Sequence, residues 1–263
     1  MDLQLTGKRA FVSGSTQGIG YAIARALLDE GATVTINGRS RDTVEGAVQR
    51  LADEVPGATV SGLAADFEDP VQVGKLLDAL GAVDILVNNV GLFDLVPFQD
   101  ITDDAWQRYF EINLMSGVRL SRHCMTGMLA QNWGRIIFLG SESGVNIPAD
   151  MVHYGVTKAG QLALSNGLAK LTWGTEVTVN TILGGPTYSD GVAATISSIA
   201  HSQGMTADAL KSAISAGNQT SLLQRFIEPG ELAHLAVYLS SPRSSATNGA
   251  ALRADGGVLT GMI

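Results

Sequence analysis

The sequence predicts an α/β fold: a doubly wound parallel sheet with helices on both faces, in a three-layer arrangement. Short apolar segments that are typical of buried strands alternate with helical patterns about every 25–30 residues. A glycine-rich segment directly follows the first of these strands and precedes a helix. Neither a Pro/Ser-rich linker nor an internal repeat interrupts the alternation, so one domain is expected over residues 1–263.

Composition narrows the class of protein. The chain is 45% apolar and 16% charged, with 31 glycines, which fits a compact, turn-rich domain. Its net charge of −8 argues against nucleic acid and anionic membranes as partners. No N-terminal signal and no run of about 18 apolar residues occurs, so a cytoplasmic protein is expected. The single cysteine, Cys124, excludes an internal disulfide and is expected to be a packed, inert thiol.

The first strand, residues 10–12, leads into the segment Ser13-Gly14-Ser15-Thr16-Gln17-Gly18-Ile19-Gly20. Glycines let backbone N–H groups approach a phosphate, and the N-terminus of the following helix favours negative charge. The spacing Gly-x-x-x-Gly-x-Gly differs from the commonest dinucleotide fingerprint, so an ordinary tight turn remains the alternative. The predicted cofactor-binding residues of this loop are Gly14, Ser15, Thr16, Gln17, Gly18, Ile19 and Gly20.

The second strand, residues 33–37, is followed by Arg39 and Ser40. An acidic residue at this strand tip would accept hydrogen bonds from a ribose 2′-hydroxyl and favour NAD. A guanidinium instead suits a 2′-phosphate, so NADP(H) is the predicted cofactor and NAD(H) the alternative. Arg39 and Arg41 could also simply begin a solvated helix over residues 42–54.

Two further strand tips carry candidate cofactor contacts. The third strand, residues 58–63, precedes Asp66 and Phe67, and the Asp66 carboxylate could bind an adenine amino group or cap the loop. The fourth strand, residues 84–87, ends in Asn88-Asn89-Val90-Gly91, whose amides and glycine would line a cleft. The predicted contacts are Asp66, Phe67, Asn89, Val90 and Gly91.

A long helix is predicted to begin at Thr102 or Asp103, either of which could be its cap. Asn113 lies in the middle of this helix, where asparagine is a poor helix former. It could serve a specific role or only pack as a buried amide. Apolar side chains at helical spacing predict the core-facing side: Trp106, Phe110, Leu114 and Val118.

Residues 135–140 predict a buried strand that ends at Ser141, a hydroxyl placed to hold a substrate oxygen. A helix from about Val152 would put Tyr154 and Lys158 on one face. A phenol with a pKa of about 10 is a poor acid-base group at neutral pH unless a cation stabilises its anion. Lys158 could supply that cation, although a Tyr–Lys pair at this spacing is also common on solvated helix faces.

These segments together resemble the classical short-chain dehydrogenase/reductase family. The glycine loop is similar to the family's Thr-Gly-x-x-x-Gly-x-Gly, and residues 88–91 are similar to its Asn-Asn-Ala-Gly. Residues 224–231 and 254–257 resemble the start of its last helix and the end of its last strand. The resemblance implies a Rossmann-like fold and hydride transfer between nicotinamide C4 and a ketone or secondary alcohol. Four residues fall at the family's catalytic positions: Asn113, Ser141, Tyr154 and Lys158.

The resemblance also implies a role for each of these residues. Tyr154 would be the general acid in reduction and the base in oxidation, with its pKa lowered by Lys158. Ser141 would bind the substrate oxygen, and Asn113 would fix a water that relays protons to Lys158. Tyr154 and Lys158 are also expected to contact the cofactor.

The segment after residues 177–183 departs from the family pattern. The family usually has Pro-Gly here, whereas this chain has Gly184-Gly185. Because the fixed φ of proline is lost, a looser turn is expected. The family's backbone contact to the nicotinamide carboxamide would fall at Thr187. Gly185, Thr187 and Ser189 complete the predicted cofactor residues.

Substrate identity is weakly encoded. The resemblance implies a substrate lid at about residues 187–225, and Glu142 is either solvated or a contact for a basic or polyhydroxylated substrate. His153 is expected to point away from the cleft and to pack or face solvent. The predicted pocket residues are Ser141, Glu142, Ser143, Phe93, Leu95, Val145 and Tyr188.

A reductase or dehydrogenase acting on a small or medium ketone or alcohol is the favoured function. A 3-ketoacyl-(acyl carrier protein) reductase is the alternative, and it would need a basic patch to which Arg119 and Arg122 could contribute. A non-catalytic cofactor sensor or scaffold is the third possibility. No metal site is predicted. The resemblance suggests a homotetramer or homodimer, in which the apolar end of the chain, residues 258–263, is covered.

Overall fold

The computed structural model describes residues 1–262, and within them seven parallel strands form one sheet, ordered β3-β2-β1-β4-β5-β6-β7. The chain order reverses between β1 and β4, and ligands bind outside the carboxyl ends of parallel strands at such a reversal. The strands are β1 (Arg9–Val12), β2 (Thr33–Gly38), β3 (Val60–Ala64), β4 (Ile85–Asn88), β5 (Trp133–Ser141), β6 (Glu176–Gly184) and β7 (Ala251–Ala254).

Helices cover both faces of this sheet. One apolar cluster joins α1, α2 and α9 to one face, and a second joins α3 and α5 to the other. The predicted three-layer, Rossmann-like fold is therefore confirmed. The helices are α1 (Gly18–Asp29), α2 (Arg41–Glu54), α3 (Pro70–Leu80), α4 (Asp103–Tyr109), α5 (Ser116–Ala130), α6 (Val152–Lys170), α7 (Asp190–Ser202), α8 (Ala207–Gly217) and α9 (Pro229–Ser240).

Local sequence signals fix where several helices begin. Of the two predicted caps for α4, Thr102 is the N-cap, and its side chain accepts a hydrogen bond from the Ala105 amide at 3.2 Å. Ser189 caps α7 in the same way, so the segment after β6 turns directly into a helix. The apolar face predicted for α1 is buried as expected: Ile23, Ala24, Leu27 and Leu28.

The core-facing side predicted for the long helix is wrong. Phe110 is 39% exposed, and the other three residues of that stripe, Trp106, Leu114 and Val118, are only half-buried. A π-helical segment, Phe110–Met115, connects α4 to α5 and changes the phase of the helix between them. The side chains that face the core are instead Tyr109, Ile112, Leu120 and Cys124.

The end of β6 is held more firmly than expected from its glycines. Gly184 is the last strand residue and pairs with Ser141 of β5 and Ala254 of β7. A Cβ at Gly184 would meet Leu232 at an ordinary 3.5 Å, so no close contact requires glycine there. A Cβ at Gly185 would lie 2.5 Å from the Asp255 carbonyl oxygen. Strand pairing on both sides therefore fixes the turn despite the missing proline.

Cys124 is buried in α5, and burial raises the pKa of its thiol to about 12. A thiol with so high a pKa carries little thiolate at neutral pH, which agrees with the expected inert role. No helix in the described part of the chain is long and apolar enough to cross a membrane.

Candidate active site

The glycine-rich loop between β1 and α1 needs glycine for specific geometric reasons. Gly14 and Gly18 have φ values of 59° and 61°, in the left-handed region that favours glycine. A Cβ at Gly20 would lie 2.4 Å from the Asn89 amide nitrogen and 2.5 Å from the Gly14 carbonyl oxygen. The spacing Gly-x-x-x-Gly-x-Gly thus permits a tight loop against the tip of β4.

Two side-chain amides, the half-buried one of Asn89 and the buried one of Asn37, hold this loop in place. Asn89 Nδ2 donates to the carbonyl oxygens of Ser13 and Gly14, at 3.0 and 2.8 Å. Asn37, at the end of β2, accepts from the Gly14 amide through Oδ1 at 3.1 Å. Asn89 was predicted to lie here, whereas Asn37 was not singled out. An amide at the end of an apolar strand was the available signal.

The N-terminus of α1 already receives a carboxylate. Asp190, at the start of α7, accepts a hydrogen bond from the Gly18 amide at 2.6 Å. Backbone N–H groups at a helix start favour an anion at this position. The contact ties the predicted lid to the glycine loop. Asp190 was not identified from the sequence, because the two residues are 172 positions apart.

The tip of β2 is open to solvent as expected. Arg39 and Ser40 are exposed, and Arg39 makes no ion pair within residues 1–262. The Ser40 hydroxyl caps α2 by accepting from the Thr43 amide. The Arg39 guanidinium is therefore available for an anionic ligand at this strand tip.

At the tip of β3, Asp66 caps the loop, which is one of the two roles that the sequence allowed for it. Asp66 Oδ1 caps the loop by accepting from the Glu68 amide at 3.0 Å. The ring of Phe67 is buried in the apolar core, so its side chain does not face a ligand. A cofactor contact at Phe67 could therefore come only from its backbone.

Ser141, Tyr154 and Lys158 line one cleft. Ser141 is the last residue of β5, and α6 begins at Val152 as predicted, which places Tyr154 in its first turn. Lys158 Nζ lies 5.7 Å from the centroid of the Tyr154 ring. The three side chains that the sequence separated by up to 17 positions are thus brought together at the carboxyl end of the sheet.

The Lys158 ammonium is buried and makes two hydrogen bonds within the protein. It donates to the Leu139 carbonyl oxygen at 2.6 Å and to Gln161 Oε1 at 3.2 Å. Burial lowers the pKa of Lys158 to about 8, and the nearby charge of Glu142 acts in the opposite direction. Gln161 was not identified from the sequence, although it lies three residues beyond Lys158 on the same helix.

The phenol of Tyr154 titrates differently from the sequence-based expectation. Burial raises its pKa to about 12, the Ser141 hydroxyl opposes this shift, and the Glu142 charge adds to it. Lys158 was expected to lower the pKa of Tyr154, but it is not among the protein groups that shift this pKa. Tyr154 therefore holds its proton at neutral pH, which suits a general acid.

Asn113 is fully buried within the π segment. Its side chain accepts from the Leu92 amide at 2.8 Å and donates to the Leu92 carbonyl oxygen at 3.0 Å. The backbone carbonyl oxygen of Asn113 accepts a hydrogen bond from Gln161 Nε2 at 2.5 Å. Asn113 thus connects the loop after β4 to Gln161, which in turn contacts Lys158.

His153 points away from the cleft, as expected, and packs in the interior. Its ring lies 3.8 Å from the Tyr109 ring, centroid to centroid, and edge-on to Trp106. Burial lowers the pKa of the His153 imidazole. A neutral packed histidine fits these surroundings better than a second acid.

The cleft has a volume of about 550 Å³ and extends from the glycine loop to Tyr154. Its mouth is apolar, with Phe93 and Leu95 exposed in the lining that also includes Ser141 and Tyr154. Most of the predicted site residues line it: Gly14, Gln17, Gly18, Ile19, Asn89, Gly91, Phe93, Leu95, Ser141, Glu142, Ser143, Tyr154, Lys158, Gly185, Thr187 and Ser189.

Two predicted pocket residues do not line the cleft. Val145 is 52% exposed, and Tyr188 packs edge-on against Phe226 with Lys211 over its ring. Helix α7, within the predicted lid, contributes apolar side chains that were not predicted from the sequence. Val192, Ile196 and Ile199 face the cleft from α7.

Glu142 is half-buried directly after the tip of β5. Its carboxylate accepts from the Ser141 hydroxyl at 2.5 Å and from the Ser143 hydroxyl at 3.1 Å. The reading of Glu142 as a merely solvated side chain is therefore wrong, because its carboxylate is bound to Ser141 in the cleft.

The residues present fit a dinucleotide. The loop offers backbone amides at a helix N-terminus, one of which already binds a carboxylate, and the cleft leads from there to Tyr154. Within residues 1–262, no group of three or more His, Cys, Asp or Glu side chains is arranged to hold a metal ion.

Comparison with known proteins identifies the class. A family model described as short chain dehydrogenase matches residues 8–199, so the chain belongs to the short-chain dehydrogenase/reductase family. It is 44% identical over 260 residues to the uncharacterized oxidoreductase YvaG of Bacillus subtilis (strain 168), covering 98% of each chain. It is 33% identical over 258 residues to the D-beta-hydroxybutyrate dehydrogenase of Cupriavidus necator, covering 96% of this chain and 98% of that one.

A solved structure is similar throughout. The chain matches L-sorbose reductase from Gluconobacter frateurii, complexed with NADPH and L-sorbose, with a TM-score of 0.94, 31% identity and 100% of each chain covered. The chain is therefore an oxidoreductase that transfers hydride between NAD(P) and a secondary alcohol or ketone.

Replacing Asp190 by Asn should tighten NADPH binding. A cofactor phosphate bound at this helix start would compete with the Asp190 carboxylate for the Gly18 amide, and an anion at a helix N-terminus is stabilised by about 0.3–1 kcal/mol. We expect the Kd for NADPH, measured by fluorescence titration, to fall by about twofold to fivefold. Asp208→Asn removes the same charge from the first turn of α8 and should leave the Kd unchanged. Equal or weaker NADPH binding by the Asp190 variant would contradict this interpretation.

Proposed function

We propose that this protein is an NADP(H)-dependent reductase of small to medium ketones. The observation that carries the proposal is the convergence of Ser141, Tyr154 and Lys158 in the cleft that begins at the glycine loop. When bound there, the nicotinamide ring supplies the hydride donor or acceptor. The protein's own side chains then have to orient the carbonyl and move one proton.

Tyr154 is the proposed proton donor to the carbonyl oxygen, and its raised pKa keeps that proton in place before reaction. Ser141 hydrogen-bonds the same oxygen. Lys158 supplies a fixed positive charge beside the phenol as negative charge develops on it. Asn113 positions Lys158 through Gln161 and fixes the backbone of Leu92 at the wall of the cleft.

We propose that Arg39 binds the ribose 2′-phosphate of the cofactor. It is exposed at the tip of β2, and this tip carries Ser40 rather than an acidic residue that would favour NAD. The similar reductase that was solved with NADPH supports the same choice. NADP(H) is therefore proposed as the preferred cofactor over NAD(H).

The alternative functions have less support. A 3-ketoacyl-(acyl carrier protein) reductase would need a free basic patch, but Arg119 is paired with Glu111. A sensor or scaffold would require only the cofactor site, whereas this chain also brings Ser141, Tyr154 and Lys158 together. A reductase with a small substrate accounts both for the glycine loop and for the Ser141, Tyr154 and Lys158 end of the cleft. We propose that this reductase is located in the cytoplasm.

An assembly of two or four copies is proposed from the partly exposed apolar stripe that runs from α4 through the π-helical segment into α5. Trp106 and Phe110 stack on this stripe, and Phe110 is 39% exposed. At the end of the chain Leu259 is buried, Met262 is 99% exposed, and Ile263 lies outside the described residues. Apolar surface of this kind is typical of contacts between protein chains.

Replacing Tyr154 by Phe should abolish turnover while cofactor binding persists. Loss of a general acid costs about 10²–10⁴-fold in rate. We expect the kcat for NADPH-dependent ketone reduction to fall at least about 100-fold, with the NADPH Kd unchanged. Tyr238→Phe, on α9, is the matched control and should retain full activity. Near-normal turnover of the Tyr154 variant would show that another group donates the proton.

Replacing Arg39 by Ser should remove the discrimination between the two cofactors. Wild-type protein should bind NADPH more tightly than NADH in paired fluorescence titrations. The variant should lose about tenfold in NADPH affinity and none in NADH affinity, because only NADPH carries the 2′-phosphate. Arg41→Ser, whose arginine pairs with Glu45, should change neither value. Equal binding of NADPH and NADH by the wild type would overturn the role of Arg39.

The assembly can be tested through its exposed stripe. Sedimentation at micromolar concentration should give a mass of two or four chains. Phe110→Glu places a charge on the stripe and should shift the protein towards the monomer. Leu171→Glu, at an exposed position directly after α6, should not have this effect. A monomeric mass for the wild type would reject the proposed assembly.

A further inference from the structure

The substrate end of the cleft carries the negative charge of Glu142 beside Ser141. Among the described residues that line the cleft, Glu142 and Lys158 are the charged ones. The Lys158 ammonium is directed to Leu139 and Gln161 within the protein. A substrate carboxylate beside Ser141 would be repelled by the Glu142 carboxylate, and among the described lining residues Lys158 is the one cation that could offset this repulsion.

Glu142 also controls the hydrogen bond that Ser141 can offer. A serine hydroxyl has one proton to donate, and that of Ser141 is directed to Glu142 Oε2 at 2.5 Å. The Ser141 oxygen in turn accepts from the Ser143 amide at 3.1 Å. Ser141 can donate to a substrate carbonyl only if its proton leaves the Glu142 carboxylate.

A substrate hydroxyl could replace the Ser141 hydroxyl as the hydrogen-bond donor to Glu142. A carboxylate has about four acceptor sites, and the hydroxyls of Ser141 and Ser143 use two of those on Glu142. A hydroxyl next to the carbonyl that donates to Glu142 Oε2 in place of Ser141 would leave the Ser141 proton free for the carbonyl oxygen. An amine in the same position would bring a second positive charge towards Lys158, so a neutral donor is favoured.

We infer that Glu142 determines the substrate class by binding a hydroxyl adjacent to the reacting carbonyl, which makes the substrate a neutral hydroxyketone. This inference rests on the proposed reductase function and adds the chemical class of its substrate. The reduction product would be the corresponding neutral vicinal diol. Simple ketones would be poor substrates because they lack the hydroxyl that donates to Glu142. Keto acids would be poor substrates because their carboxylate is repelled by Glu142.

Three ketones of similar size separate these possibilities. Acetoin differs from butanone by one hydroxyl next to the carbonyl, and acetoacetate carries a carboxylate. For each ketone, kcat/KM is measured with NADPH for the wild type, Glu142→Gln and Glu142→Ala. Glu30→Gln, at the exposed end of α1, is the control that removes the same charge away from the cleft.

For the wild type and the Glu30 control we expect kcat/KM for acetoin to exceed that for butanone by about tenfold or more, because hydrogen bonds to charged groups are the stronger ones. Glu142→Ala should reduce this ratio to about one, and Glu142→Gln should give an intermediate value. Butanone and acetoacetate reduction should rise in both variants, because the Ser141 proton is released and the negative charge is gone. A purely structural role would lower all three reactions together. An unchanged acetoin-to-butanone ratio in Glu142→Ala would overturn the inference.

A binding measurement separates this inference from the reductase function itself. Acetoin is titrated calorimetrically into the Tyr154→Phe protein saturated with NADPH, and into the same protein with Glu142→Ala added. Binding that is weakened about tenfold by the second change supports the inference even if no ketone is turned over. Equal acetoin binding by both proteins, or acetoin binding by neither, rejects it, whereas turnover of butanone or acetoacetate by the wild type would still support the reductase function.

Discussion

The buried ammonium of Lys158 is the constraint on which the rest of the site depends. Burying a charge without partners costs several kcal/mol, so its acceptors must lie at fixed positions. The Leu139 carbonyl of β5 and the Gln161 side chain of α6 supply them, at 2.6 and 3.2 Å. The strand that ends in Ser141 and the helix that carries Tyr154 are thereby held together, since any relative shift would leave this charge unsatisfied.

The same network extends to the long helix. A π segment departs from the regular i→i+4 ladder of backbone hydrogen bonds, and such segments are frequent at functional sites. Here the Asn113 carbonyl oxygen, within the π segment, accepts from Gln161, while the Asn113 side chain holds the Leu92 backbone. One asparagine therefore links three parts of the cleft, which explains why a poor helix former occupies a buried position.

The sequence was informative where a function depends on a local pattern. The strand–loop–helix at Gly14 to Gly20 and the Tyr154–Lys158 spacing are set by neighbouring residues, and the structure has both elements as predicted. Contacts such as Asp190 to Gly18 join residues far apart in the chain, so no local pattern could reveal them. The apolar stripe through Phe110 was assigned to the core because periodicity identifies a face but not what covers it.

Glu142 and Lys158 place opposite charges in the cleft, and burial there shifts the pKa values of Tyr154 and Lys158. Burial raises the pKa of Tyr154 and lowers that of Lys158, while the Glu142 carboxylate acts to raise both values and so favours the protonated form of each side chain. A phenol with a pKa of about 12 remains a proton donor throughout the physiological range. Reduction of a carbonyl can use this state directly. Oxidation of an alcohol needs the phenolate, and hence an additional positive charge near Tyr154 to lower its pKa. The protein's own groups therefore keep Tyr154 in the form that carbonyl reduction uses, and the positive charge of an oxidised nicotinamide would lower the pKa of the phenol towards the form that alcohol oxidation needs.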